Sequence, residues 1–368
     1  MPIADTKPYG LIADLHLHPW SSFATTLPDG QNSRLVALLG EIERCAAEVA
    51  SLGGDTVVFA GDVFHVRGSV SPSVLNATLD TLRKIASKHT VLFEIIPGNH
   101  DLEGKESTRL GSAVTALGSA WVTVCNDPTY IKDCRVVMQP WVEKVEDLKA
   151  AIDKLGTGDM PKFLRENTDL ILHAPIDGVI RGLPAHGLSP EYLAGLGYKR
   201  VFAGHYHNHK RFDGNVYSIG ALAHHTWSDI GSKAGYLIVH PDRVDWRKSH
   251  LPEFIDLAEL TEMEPEELPL IVDGNFVRIK VEASKTSEVE KARQELLDMG
   301  AKAVIVQAQP KPPAREGAAA ATVEAGASLE VSVSEFISAT HDGTRLHLVP
   351  LVVTAALDVL TAVDAMGD

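Results

Sequence analysis

Five polar clusters in the 368-residue chain each follow directly on a short apolar run: Asp14-Leu-His16, Gly61-Asp62, Gly98-Asn99-His100-Asp101, His173 and Gly204-His205-Tyr206-His207. On an extended chain, side chains i and i+2 point the same way, so Asp14 with His16, or His205 with His207, can grip one ion. The glycines at 61, 98 and 204 permit a sharp turn and a close approach where a strand gives way to a loop. Imidazole and carboxylate without cysteine favour manganese, iron or zinc over a structural thiolate zinc site. Asp14, His16, Asp62, Asn99, His173, His205 and His207 are too many ligands for one tetrahedral ion and suit two. With Asp62 as a bridge, two carboxylates face four positive charges, a surplus of about +2 that attracts a phosphate diester. Two ions ~3.5–4 Å apart stabilise both the attacking and the leaving oxygen of an in-line displacement. Each cluster alone says little: Gly-Asn-His-Asp can be a tight turn and a lone His173 a satisfied core histidine. Their joint occurrence, in order and each at a strand end, points to metal chemistry.

Such convergence requires strands whose carboxyl ends share one rim. Apolar runs predict strands at Tyr9–Ala13, Thr56–Ala60, Val91–Ile96, Trp121–Val124, Arg135–Gln139, Leu170–Leu172, Arg200–Ala203, Val216–Ile219 and Tyr236–Val239. Several are continuous rather than alternating, as in strands buried on both faces. Between the early ones, apolar residues at 3–4 spacing predict helices over Arg34–Ser51 and Pro72–Ser87. The order implies an α/β fold in which a β-sandwich is flanked by helices. A second, α+β unit follows: strand Phe276–Val281, helix Ser287–Met299 and strand Ala303–Gln307. The expected division is 1–255 for the sandwich, 256–310 for the small unit, 311–328 for a Pro/Ala/Gly-rich linker and 329–368 for a helical tail.

Lys+Arg total 34 against 49 Asp+Glu, a net charge of -15, which excludes a strongly basic nucleic-acid binder. Most of the acidity lies beyond residue 250, where the balance is -12 against -3 before it. Lys199, Arg200, Lys210 and Arg211 form a local basic edge suited to phosphate contacts or to a solvated surface. Three scattered cysteines suit a reducing cytosol rather than a disulfide framework. No signal peptide or membrane span is expected, and no P-loop, so any ATP dependence must come from another chain. The tail segment Leu346–Val363 is apolar nearly all round, like a helix that is buried or awaits a partner.

The five clusters resemble those of the calcineurin-like metallophosphoesterases, and most closely the SbcD-type DNA nuclease subunits, bacterial and phage relatives of the meiotic recombination nuclease. The narrowing feature is Gly61-Asp-Val-Phe-His-Val-Arg-Gly-Ser-Val-Ser-Pro72, similar to that subfamily's Gly-Asp-Leu-Phe-[His/Asp]…Pro segment. Protein phosphatases of the superfamily instead carry Asp-Arg-Gly and end the third motif in Glu, where this chain has Asp101. The resemblance covers about residues 9–250. It implies one ion on Asp14, His16, Asp62 and His207 and another on Asp62, Asn99, His173 and His205, with manganese the implied metal. His100 would be the catalytic histidine, Asp101 would orient it, and His65 would place a DNA end. It also implies a manganese-dependent DNA exonuclease/endonuclease in the cytoplasm. Its partners would be DNA, an SbcC-type ATPase bound by the tail, and a second copy of the chain through Pro72–Ser87 or Thr108–Leu117. The small unit would cap the DNA. The competing expectations are a small-molecule phosphodiesterase or phosphatase using the same centre, and a non-catalytic scaffold subunit. His18, His209, His224 and His225 lie beside the motifs without being expected ligands.

Overall fold

The structure is a computed structural model that describes residues 6–104, 109–157, 165–257, 265–282, 286–309 and Thr354. In chain order its strands begin with β1 (Tyr9–Ile12), β2 (Thr56–Ala60), β3 (Leu92–Ile96), β4 (Val122–Val124), β5 (Thr129–Ile131) and β6 (Val136–Gln139). They continue with β7 (Asp169–His173), β8 (Arg200–Gly204), β9 (Lys210–Phe212), β10 (Val216–Ser218), β11 (Gly235–Val239) and β12 (Val244–Lys248). Helices α1 (Ser33–Ser51), α2 (Pro72–His89), α3 (Val145–Thr157) and α4 (Pro190–Gly195) lie between them. One sheet has the order β12-β11-β1-β2-β3-β4 and the other β5-β6-β7-β8-β10-β9. β1 to β4 run parallel, as do β6, β7 and β8.

Side-chain alternation explains the layers. In β1 and β2, Tyr9, Leu11, Val58 and Ala60 face the second sheet, where they meet Met138, Ile171, Phe202 and Ile219. Ile12, Val57 and Phe59 point the other way, onto Leu38, Ile42 and Cys45 of α1 and Leu82 and Ile85 of α2. On the far side, Val137, Leu170, Leu172 and Val201 pack under Leu148 and Ile152 of α3 and Leu193 of α4. The result is the expected sandwich with helices outside. Strands buried on both faces are apolar throughout, which accounts for the continuous runs. A β-carbon on Gly10 would lie 2.5 Å from Cys45 Sγ, so glycine lets α1 sit directly on β1. Asn32 caps α1 by accepting from the backbone N–H groups of Arg34 and Leu35.

A third sheet joins β13 (Phe254–Asp256), β14 (Phe276–Glu282) and β15 (Ala303–Gln309), with α5 (Leu268–Val272) and α6 (Thr286–Asp298) beside it in sequence. Its small core is Val272, Val277, Leu296, Ala301 and Val304. The sandwich and nearly all of this sheet belong to one compact unit, Met1–Lys280 with Ser287–Gln307. The expected linker 311–328 and tail 329–368 lie outside the described residues, Thr354 excepted.

At the pole where the parallel strands begin, Arg200 makes a bidentate ion pair with Asp169, at 2.8 and 2.6 Å, and donates to the His240 carbonyl. Tyr9 Oη donates to the same Asp169 at 2.9 Å, tying the two sheets together. Lys199 donates to the Pro241 carbonyl at 2.5 Å. Arg200 is buried and Lys199 is engaged by backbone, both at the strand starts, so these two cations of the basic edge serve the scaffold there.

Candidate metal centre

Every polar cluster singled out in the sequence lies just beyond the carboxyl end of a parallel strand. Asp14 and His16 follow β1, Asp62 follows β2, Asn99 and His100 follow β3, His173 ends β7, and His205 and His207 follow β8. The two sheets thus supply opposite walls of one site. After β1 and β2 the chains continue side by side, with Asp14 N–H donating to the Gly61 carbonyl and His16 N–H to that of Asp62. Asp14, His16, Asp62 and His205 all have positive φ, at 50°, 44°, 51° and 107°. Such backbone costs on the order of 1–3 kcal/mol per residue and persists where the surroundings over-determine it. The close packing shows why Gly61 and Gly98 are glycines. A β-carbon on Gly61, itself at φ +90°, would lie 2.2 Å from His173 Nδ1, and one on Gly98 2.2 Å from Asp62 Oδ1.

Asp14, His16 and His207 offer ligand atoms within 4.8 Å of one another, and so do Asp62, His173 and His205. Asp62 lies between the groups, its Oδ2 3.4 Å from His173 Nε2 and 3.8 Å from His16 Nε2. Asn99 Oδ1 completes the second group, 3.1 Å from His173 Nε2 and 3.0 Å from His205 Nδ1. All seven expected ligands are therefore brought together.

The nitrogens are directed as a cation would need. His173 Nδ1 donates to the Ala60 carbonyl at 2.8 Å, leaving Nε2 to face Asp62 and Asn99. His207 Nδ1 donates to Asp229 Oδ1, which turns its Nε2 inward to within 3.2 Å of His16 Nε2. Two inward imidazole nitrogens at that separation need either a shared proton or a cation between them. Hydrogen bonding of the outer nitrogen fixes tautomer and ring orientation in metal-ligating histidines. Burial drives His205 down to about 3, with His173 acting in the same direction, and burial and His225 hold His16 well below the usual imidazole range. Both are therefore neutral and can offer a lone pair. His173 behaves differently: burial lowers it, yet the Asp62 carboxylate outweighs that and raises it to about 9. Asp62, despite its burial, is held below the carboxylate range by His173 and His16. A buried carboxylate among nitrogens that are neutral, or that a cation would strip of a proton, fits a site for two divalent ions.

His100 stands beside the two groups and, with His16 and His65, forms a third cluster within 4.8 Å. Its N–H donates to Asp62 Oδ1 at 2.8 Å, and its ring Nδ1 donates to the His65 carbonyl at 2.6 Å. The orienting contact expected from Asp101 is thus made by the His65 backbone. Asp101 instead accepts from the N–H groups of Val63, Phe64 and Gly98, at 3.2, 2.9 and 2.8 Å, and fastens the turns that carry Asp62 and Asn99. The His65 ring lies parallel to that of His100, with centroids 5.8 Å apart, and presents Nδ1 to His16 Nδ1 at 3.4 Å.

Asp229 and Trp141 stand outside the sequence clusters, and His225, which lies beside a motif without being an expected ligand, contributes in another way. Asp229 holds His207, the buried His225 donates from Nε2 to the Asp14 carbonyl at 2.8 Å, and Trp141 stacks on His205 with centroids 5.2 Å apart. Thr226-x-x-Asp229, a capping-box pattern, was the available signal for the first. His224 and His209 are engaged elsewhere, His224 by the Ser232 carbonyl and Phe254 N–H, His209 by the Ile219 carbonyl.

Parallel strand ends from two facing sheets and a carboxylate set between two nitrogen-rich groups define a metal-dependent phosphoester hydrolase. A family model for the calcineurin-like phosphoesterases matches residues 7–209, and the chain belongs to that family. Among solved structures, a dimetal phosphatase from Danio rerio is similar at 12% identity, covering 66% of this chain and 96% of that one with a TM-score of 0.39. No curated protein matches the chain.

Proposed function

We propose that this phosphoesterase is a DNA nuclease subunit, using two divalent ions, best matched by manganese, and working with an SbcC-type ATPase in DNA end processing. The carrying observation is the Asp62 carboxylate between the two ligand groups, with the His100 ring set in the adjoining cluster by the same turn that carries His65. Ions bound there would acidify a water and neutralise phosphate oxygens for an in-line displacement. Asp14, His16, Asp62 and His207 would hold one, and Asp62, Asn99, His173 and His205 the other. His100, its Nδ1 committed to the His65 carbonyl, would offer Nε2 to the scissile phosphate or the departing oxygen. His65, half-buried beside His100, would bear on the DNA end. The preference for DNA over a small diester rests on the Gly61–Pro72 segment, whose likeness is to the nuclease subfamily.

The remaining assignments follow from that reading. The β13–β15 unit would cap the DNA, α2 or residues 109–117 would form the homodimer contact, and the enzyme would work in the cytoplasm. Among the described residues no helix is long and apolar enough to cross a membrane. All three cysteines are buried and unpaired.

The test is digestion of labelled linear duplex, hairpin and single-stranded DNA with manganese, with and without the ATPase, beside a small aryl phosphodiester. DNA cleavage abolished by chelator and restored better by manganese than by magnesium is expected, because histidine ligands suit the softer ion. Hydrolysis of the small diester without DNA cleavage would overturn the nuclease reading and leave the family assignment standing.

A further inference from the structure

Within the two-ion reading, on which this inference rests, only one of the two ligand groups is braced by the segment His225–Asp229. Asp229 is 4% exposed. Its Oδ1 accepts from His207 Nδ1, and its Oδ2 accepts from the N–H groups of His225 and Thr226, both at 2.8 Å. The Thr226 side chain returns the cap on the same short turn. The carboxylate is therefore fixed by backbone on one oxygen and presented to a ligand on the other. The same segment reaches the neighbouring ligand, since His225 Nε2 donates to the carbonyl of Asp14, a residue held at φ 50°. Arg34 fastens the segment from behind by donating to the His225 carbonyl at 3.1 Å. His173, in the other group, is oriented by the Ala60 carbonyl, and His205 lies against Asn99 and Trp141.

We infer that Asp229 is a positioning residue for the ion held by Asp14, His16 and His207, and not for its neighbour. It keeps His207 in the tautomer whose Nε2 faces the ion, and its negative charge raises the basicity of that nitrogen. In Asp229→Asn, one amide oxygen must choose between His207 Nδ1–H and the two backbone N–H groups, while the amide NH2 opposes whichever donor remains. Loss of such an outer partner typically weakens metal binding about 10–100-fold.

Manganese titration of the full-length protein, followed by calorimetry and by electron paramagnetic resonance, reads this without any turnover. The wild type should bind two ions and pass to an exchange-coupled signal as the second enters. Asp229→Asn should bind one ion with wild-type affinity and the second about 10–100-fold more weakly, so a mononuclear six-line signal persists at two equivalents. Thr226→Ala loosens the same turn but leaves the carboxylate, and should lower the melting temperature with much less effect on either ion. Equal loss in both variants, loss at both ions, or no loss in Asp229→Asn would overturn the inference. A wild type that binds fewer than two ions would instead overturn the two-ion reading itself.

Discussion

At the residue scale, Asp62 and His100 are neighbours with separable duties. Asp62 Oδ2 faces a nitrogen from each ligand group, while its Oδ1 accepts the backbone N–H of His100. Asp62→Ala should therefore lose most bound metal at both positions and all turnover. His100→Ala removes only the ring, and the backbone bond to Asp62 remains, so metal content should be retained while turnover falls by about 10²–10⁴-fold, the usual contribution of a positioned acid–base group. Elemental analysis of dialysed protein beside a cleavage assay separates the two. An equal fall in metal content in both variants would refute the division of labour. The seven ligand candidates were legible because each is a polar group that interrupts an apolar run, and the ends of parallel strands are where such groups converge. Asp229 was not legible in this way. It reaches His207 across 22 residues from a short capped turn, and nothing in linear spacing distinguishes it from a residue that only caps. The exchange between Asp101 and the His65 carbonyl was hidden for a related reason: a backbone carbonyl leaves no trace in residue type.

At the scale of elements, two contacts in the sandwich carry measurable consequences. The α1–β1 contact at Gly10 predicts that Gly10→Ala drives a methyl against Cys45 Sγ and costs about 1–3 kcal/mol, as overpacking does. Combining it with Cys45→Ala should recover part of that loss, a coupling that a double-mutant cycle of denaturant unfolding detects. Simple additivity would mean that the helix shifts instead. On β3, burial raises the Glu94 carboxyl to about 7, and its Oε2 has no hydrogen-bond partner. The folded state then holds a proton that the unfolded chain releases near pH 4.5, so this group favours folding fully below that pH and progressively less up to about pH 7. Glu94→Gln should remove that slope, raising stability at pH 8 by up to about 3 kcal/mol with little change near pH 4.5. Melting curves in chelator at both pH values check it, and an equal change at both would refute the assignment. The predicted long elements agree closely with the observed ones because both faces of those strands are apolar and α1 and α2 keep one apolar stripe. The edge strands leave a weaker signal: β5 has only three residues, and charged side chains break any apolar run in β9, at Lys210 and Arg211, and in β12, at Asp245, Arg247 and Lys248. Helix α3 leaves only a faint trace in the sequence because its short apolar stripe lies among acidic and basic side chains.

At the scale of the whole molecule, every expected metal ligand lies at or before His207, inside the segment that the family model matches. The sequence of the Pro/Ala-rich stretch 311–328 offers few side chains able to form a core, whereas Leu348, Val349, Leu351, Val352, Leu357, Val359, Leu360 and Val363 would cover more than one stripe of the helix expected there. If the segment folds as the helix its sequence predicts, a groove on another chain would account for it most economically. Under the proposed function, that chain is the ATPase. Truncation after Gly326 should then leave thermal stability within about 0.5 kcal/mol of the full chain, the range of changes that touch no core. It should also preserve manganese-dependent cleavage of single-stranded DNA by the nuclease alone. What it should abolish is ATP-stimulated degradation of duplex ends and co-elution with the ATPase. A truncated protein that unfolds would show that the tail belongs to the sandwich, and one that keeps ATP stimulation would place the docking surface elsewhere on the chain.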